Sequence, residues 1–205
     1  MHNRLWWLLL ITIPFTGFLY PIDVAPDFYQ QYIDSLSACA LPAEGGDRFS
    51  ALVHEQSAVE RIIARYCFYR SPAERRRLVD IIVDRGLAYG VSPKFVAAVI
   101  AIESSFYPYA LSNMGAKGLM QVTDDTAAYL IRRHRLTFAQ PLDLYDEQVS
   151  IELGVCYIRE LILRYGSVKR AMTAYNYGPG RVDSFLANRR TVPAKYYLDI
   201  MNQLS

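Results

Sequence analysis

"FVAAVIAIESSFYPYALSNMGAKGLMQV", residues 95–122, decides the fold. Its first eight residues, Phe95 to Ile102, are all apolar. A helix that is apolar on every side belongs at the centre of a domain rather than on its surface. At the end of the run stands Glu103, and no other acid occurs between residues 91 and 123. Partial burial of a carboxylate raises its pKa toward neutrality, and a carboxyl that stays protonated at working pH is suited to general acid chemistry. The plainer alternative is that Glu103 reaches solvent at the helix end or pairs with a basic group.

Outward from this segment the signals are helical. "LVHEQSAVERIIARYCFY" (52–69) carries apolar residues at spacings of three and four, the period of a one-sided helix. In "SPAERRRLVDIIVDRGLAYG" (71–90), Ser71 is placed as N-cap, Pro72 as first helical residue and Glu74 three after the cap, with Gly90 as the stop. Ser92-Pro93 opens the central helix in the same manner. Thr123-Asp124-Asp125 opens another, with acids at the positive end of its dipole. Residues 146–165 predict a long helix closed by Gly166, Ser167 caps the next, "GPG" at 178–180 breaks it, and a last helix covers roughly 194–204. No β-hairpin or internal repeat is evident. The expected fold is all-α, with about seven or eight short helices.

The whole chain of 205 residues suits one compact domain plus an N-terminal appendage. A net charge of +2 gives no argument for nucleic acid, and "RRR" at 75–77 reads as a solvated helix face. After Met-His-Asn-Arg4, Leu5 to Ile22 carry no charge. That pattern is a signal peptide or a signal anchor; Pro14 and Gly17 weaken it as a membrane span. "ACA" (38–40) and "LSAC" (36–39) have the form of a cleavage site and a lipoprotein box, but both stand too far from the apolar run to count. The expected organisation is a signal or anchor over 1–22, a linker over 23–48, packed helices over 49–90 and a catalytic domain over 91–205. Cys39, Cys67 and Cys156 fit no metal pattern. In an oxidising compartment Cys39 and Cys67 are the pair favoured for a disulfide, since Cys156 falls in a helix that reads as core.

Four blocks extend the opening stretch: "ESSFYP" with Ser112, "GAKGLMQV", "AYNYGPGRV" (174–182) and "VPAKYYLDI" (192–200), with "LDLYDEQVSIELGVCYIREL" (142–161) between them. From about Gly90 to about Ile200 the chain resembles the soluble lytic transglycosylase family of bacterial cell-wall enzymes. The resemblance implies a lysozyme-like helical fold with a glycan-binding groove. It implies that Glu103 protonates the glycosidic oxygen between N-acetylmuramic acid and N-acetylglucosamine, then takes the proton of the muramyl C6 hydroxyl as that oxygen attacks C1. The product would be a 1,6-anhydromuramyl end, with no water consumed. Ordinary glycosidases use two carboxylates; an internal hydroxyl as nucleophile, with its large effective molarity, makes the second dispensable.

The same resemblance implies substrate contacts for Ser112, Gln121, Tyr175, Asn176 and Tyr196, with Tyr197 one residue away from the last. Gln121 offers an amide donor and an acceptor, and Gly115 and Gly118 permit a backbone path close to a sugar. Three positions depart from the family pattern: Tyr107 replaces Asn or Asp before proline, Thr123 replaces a groove methionine, and Ser150 replaces an asparagine in a position that concerns helix packing. His54-Glu55 lacks the second histidine of a zinc motif because Ala58 stands there, and His134 beside arginines reads as exposed. No metal and no cofactor is expected. The reading is an exported peptidoglycan lytic transglycosylase, periplasmic and held at the inner membrane by residues 5–22 if these form an anchor. Its expected partners are glycan strands and a secretion, conjugation or pilus assembly complex. The alternatives are a goose-type lysozyme-like hydrolase and a non-catalytic peptidoglycan-binding assembly protein.

Overall fold

The computed structural model describes residues 48–204. The signal or anchor over 1–22, most of the linker and Cys39 lie outside that span. Eight helices occur among the described residues: α1 (Arg48–Tyr66), α2 (Pro72–Tyr89), α3 (Pro93–Ser104), α4 (Asp124–His134), α5 (Glu147–Tyr165), α6 (Val168–Tyr177), α7 (Pro179–Ala187) and α8 (Lys195–Asn202). Among those residues there is no strand, only two isolated antiparallel bridges, Leu111 with Lys117 and Lys117 with Val122. No single described helix is long and apolar enough to cross a membrane.

The caps lie where the sequence puts them. Ser71 and Glu74 form a reciprocal capping box, and Gly90 ends α2 in the left-handed conformation at φ 63°. Thr123, Asp146 and Ser167 cap α4, α5 and α6 through their side chains. The stretch after "GPG" was not anticipated as helix. Gly178, at φ 84°, ends α6 and begins α7 with Pro179 as first helical residue. Only Val182 of α7 is fully buried, so the segment carries too little apolar periodicity to be read as a helix.

The apolar run becomes the centre of the molecule. Phe95 through Ile100 have no exposed surface in α3, which packs against α1, α2 and α8. Burying a side chain such as Phe95 or Ile100 contributes about 2 kcal/mol, enough that no other placement of this segment competes. α5 closes the other side against α2 and α6. Cys67 and Cys156 are both buried thiols, and burial pushes Cys156 up to about 12, so it acts as a small core residue.

Both ends of α3 are held by residues far away in sequence. At the start, the buried Glu55 carboxylate of α1 accepts hydrogen bonds from Ser92 Oγ at 2.7 Å and Lys94 N at 3.0 Å. It also pairs with Lys94 Nζ at 3.0 Å. A carboxylate there complements the helix dipole, and this is the use of a residue the sequence offered only as half of a zinc motif. At the other end, Ser105 and Phe106 are both left-handed, at φ 50° and 61°, a conformation that costs a non-glycine residue roughly 1 kcal/mol. Complete burial of Phe106 and hydrogen bonds to its carbonyl from Tyr69 Oη (3.4 Å) and Arg70 Nη2 (3.3 Å) hold the turn. The α1–α2 connection thus fixes how the chain leaves the helix that carries Glu103.

Candidate active site

Glu103 is the penultimate residue of α3, half-buried where the helix meets α8 and the loop 105–123. Its carboxylate Oε1 accepts a hydrogen bond from Tyr196 Oη. Burial pushes the carboxyl above the usual carboxylate range, and the Tyr196 hydroxyl draws it partly back. Among the described residues no lysine or arginine forms an ion pair with it. Of the two plainer alternatives, pairing with a basic group is therefore not what the chain builds. The arrangement is a protonatable carboxyl with one hydroxyl orienting it.

The two tyrosines do different work. Tyr196 is 7% exposed, and its hydroxyl meets Glu103 directly. Tyr175 donates instead to the Met120 carbonyl at 2.7 Å and lies 5.4 Å from Tyr157, ring to ring. Burial first, and then the charge of Glu103, keep both phenols well above their ordinary pKa. Both therefore remain neutral hydrogen-bond donors. The Tyr175 hydroxyl proton is thus committed to the loop backbone.

Loop 105–123 is bound to the helices at several points. Ser104 Oγ donates to the Leu119 carbonyl at 2.8 Å. Ser150 Oγ, on α5, accepts from Met120 N at 3.1 Å. Gly154, also on α5, leaves room for the Met120 side chain, since a Cβ there would stand 2.4 Å from its sulfur. Met120 is thus fixed through its amide, its carbonyl and its side chain. Ser150, read from the sequence as a matter of helix packing, has this more specific part. Ser104 gave no signal of its own, because its partner lies fifteen residues on in a segment without regular structure.

The expected contact residues fall around this loop with altered chemistry. Gln121 sits at φ 50°, and its amide nitrogen donates to the carbonyls of Ala110 (3.1 Å) and Gly118 (2.9 Å). Its donors are spent on the chain, so it presents an acceptor rather than both groups. Ser112 Oγ accepts from Met114 N (3.2 Å) and Ala116 N (3.0 Å), which leaves its own proton to donate. Asn176 is exposed near the end of α6. Gly118 is tight against its own chain, not held open for a sugar: a Cβ would lie 2.1 Å from the Leu144 carbonyl. Thr123 caps α4 by accepting from Thr126 N at 3.2 Å, and Asp124 pairs with Lys117 at 2.8 Å. His134 is not the exposed residue expected; it is half-buried, with Nε2 2.7 Å from Glu160.

The family model described as transglycosylase SLT domain matches residues 80–198. Among curated relatives, the soluble lytic murein transglycosylase of Escherichia coli is 30% identical over 100 residues, which cover 48% of this chain and 16% of that protein. Membrane-bound lytic murein transglycosylase C of Serratia proteamaculans is 34% identical over 113 residues, covering 50% of this chain and 32% of that protein. The chain therefore spans between a sixth and a third of these relatives. An inactive mutant of lytic transglycosylase Slt from Pseudomonas aeruginosa superposes with a TM-score of 0.52 at 20% identity, over 88% of this chain and 34% of that one. The 70 kDa soluble lytic transglycosylase of Escherichia coli gives 0.51 at 20% identity, over 86% of this chain and 30% of that one. At such identity the likeness is one of fold, the lysozyme-like helical arrangement.

Proposed function

The chain belongs to the transglycosylase SLT domain family, and we propose that it is a lytic transglycosylase that cleaves the β-1,4 bond between N-acetylmuramic acid and N-acetylglucosamine in peptidoglycan. The observation that carries this reading is the single carboxyl of Glu103, raised by burial and oriented by Tyr196. Protonated, it gives its proton to the glycosidic oxygen as the C1–O bond breaks. Ionised, it accepts the proton of the muramyl C6 hydroxyl while that oxygen closes on C1. The proton is returned, a 1,6-anhydro ring forms and no water enters. The carboxyl environment is set by burial and a hydroxyl rather than by a second acid, which suits a nucleophile supplied by the substrate.

The residues at the loop complement an N-acetyl group. Gln121 has an acceptor for its N–H, and Ser112 has a proton for its carbonyl. Export is part of this reading, because the substrate lies outside the cytoplasm and residues 5–22 form an uncharged apolar run.

Mass spectrometry of muropeptides released by the full chain from purified sacculi tests the reading. Anhydromuramyl ends are expected. Reducing ends, one water heavier, would make the protein a hydrolase and overturn it.

Tyr196→Phe tests the site's electrostatics. Removing the hydroxyl takes away the one influence that lowers the Glu103 carboxyl, so its pKa rises further. The acid works protonated, and activity declines as pH rises through its pKa. The alkaline limb of kcat/KM should therefore move to higher pH, with kcat lower by about tenfold from poorer orientation of the acid. An unmoved limb would show that Tyr196 does not set the acid.

A further inference from the structure

Three tyrosines outside the cleavage machinery stand in a row. Tyr107 and Tyr109 are 55% and 66% exposed, their rings 6.1 Å apart and nearly edge-on. Tyr109 lies 6.0 Å from the ring of Tyr145, which precedes α5. Phe106 is buried in the core, and Tyr175 binds a backbone carbonyl. Tyr107 and Tyr109 instead present their rings to water, an arrangement that signals recognition rather than stability.

We propose that Tyr107, Tyr109 and Tyr145 form a stacking shelf that receives sugar rings of the glycan strand beyond the pair being cleaved. This rests on the transglycosylase reading. The shelf is continuous with the site through its backbone. Tyr107 N donates to the Ser104 carbonyl at 2.9 Å and Ala110 N to the Tyr107 carbonyl at 3.2 Å, so the turn is fixed to the end of the helix bearing Glu103. The Ala110 carbonyl then accepts Gly118 N and the Gln121 amide. The turn that carries Tyr107 and Tyr109 is thus tied by backbone hydrogen bonds both to the end of the helix bearing Glu103 and to the loop bearing Gln121.

The chemistry of the shelf suits a sugar. A pyranose presents an apolar C–H face and a rim of hydroxyls. The tyrosine faces match the former. Lys117, bridged to Leu111 of the same loop and paired with Asp124 at 2.8 Å, supplies a charged rim for the latter. Three rings in series hold a polymer, where one would hold only a monosaccharide. The rival occupant is a protein or lipid surface, since Leu111 and Met114 on the same loop are 62% and 87% exposed.

Tyr109→Ala, Tyr109→Phe and wild type are compared on long uncrosslinked glycan strands and on a four-sugar fragment, alongside retention on intact sacculi. The alanine variant should raise KM for long strands about tenfold, the size of one well-made aromatic contact. Its ratio of kcat/KM on strands to that on the fragment should fall to match, and its retention on sacculi should drop. Phenylalanine keeps the ring and should restore all three. Equal ratios for alanine and wild type would overturn the shelf. So would an effect of Tyr109→Ala confined to self-association or to binding of anionic phospholipid vesicles. If the wild type cleaves neither substrate, the transglycosylase reading has failed, and sacculus retention still decides: loss in the alanine variant supports the shelf, and equal retention overturns it.

Discussion

Glu103→Gln should abolish release of muropeptides and, above neutral pH, raise the melting temperature. The first effect follows from the double duty proposed for this carboxyl. Gln can neither give a proton to the leaving oxygen nor take one from the C6 hydroxyl, and general acid–base catalysis contributes about 10²–10⁴-fold for each such transfer. A loss of at least about 10³-fold in kcat is expected, read from the rate of anhydromuramyl release. The second effect follows from the direction of the pKa. The folded protein raises the Glu103 carboxyl, so the folded state favours the proton more than the unfolded chain does. The stability linked to that proton is fully present below the unfolded pKa and is lost as pH rises through the folded one. Gln is neutral at every pH and still offers an oxygen to Tyr196 Oη. The variant should therefore melt near the wild type at low pH and above it at high pH, as expected where a site holds a group its fold does not favour. Calorimetric scans across pH read the difference directly. A variant that melts below wild type at high pH would mean that the ionised carboxylate is stabilising, and that the proposed proton donor is a structural anion.

How far such a site can be read ahead of its structure depends on the range of the interactions. The helix starts are local devices. Ser71, Ser92 and Thr123 each accept a backbone N–H from three residues on, Glu74, Phe95 and Thr126, and the apolar run at 95–102 has no stable place except the core. The position of Glu103 was legible for the same reason. Its partner was not: Tyr196 lies 93 residues away, and nothing in "AKYYLDI" marks it as the tyrosine whose hydroxyl meets the acid. The resemblance to a family names positions, but the hydrogen bonds at those positions belong to this chain. Gln121 spends its donors on Ala110 and Gly118, and Tyr175 spends its proton on Met120. Glu55 is the reverse case, a residue that looked incidental until α1 placed it at the buried start of α3.

Gly118→Ala should unfold most of the protein under conditions where Gly115→Ala scarcely matters. Both glycines are left-handed, at φ 75° and 78°, so each substitution carries a conformational cost of about 1 kcal/mol. There the likeness ends. A Cβ on Gly115 would meet nothing within 4 Å. A Cβ on Gly118 would lie 2.1 Å from the Leu144 carbonyl oxygen and 2.8 Å from Ser150 Oγ. Neither neighbour can give way cheaply. The first is backbone just before α5, and the second holds Met120 N. Relief requires the loop to leave α5, which would break the Gly118 N to Ala110 bond and the Gln121 clamp and expose Leu119 and Met120, both fully buried. A loss of about 4 kcal/mol or more is expected, against a total of about 5–15 kcal/mol for an ordinary domain. Urea titration would show Gly118→Ala with its midpoint reduced by half or absent, and Gly115→Ala within about 1 kcal/mol of wild type. Equal, small losses would mean that the loop is free to shift, and the clamps on Gln121 and Met120 would lose their foundation. The pair also separates two reasons for a glycine that look identical in "GAKG". One is needed for its backbone angle alone, and the other for the absence of a single methyl group against the carbonyl beneath it.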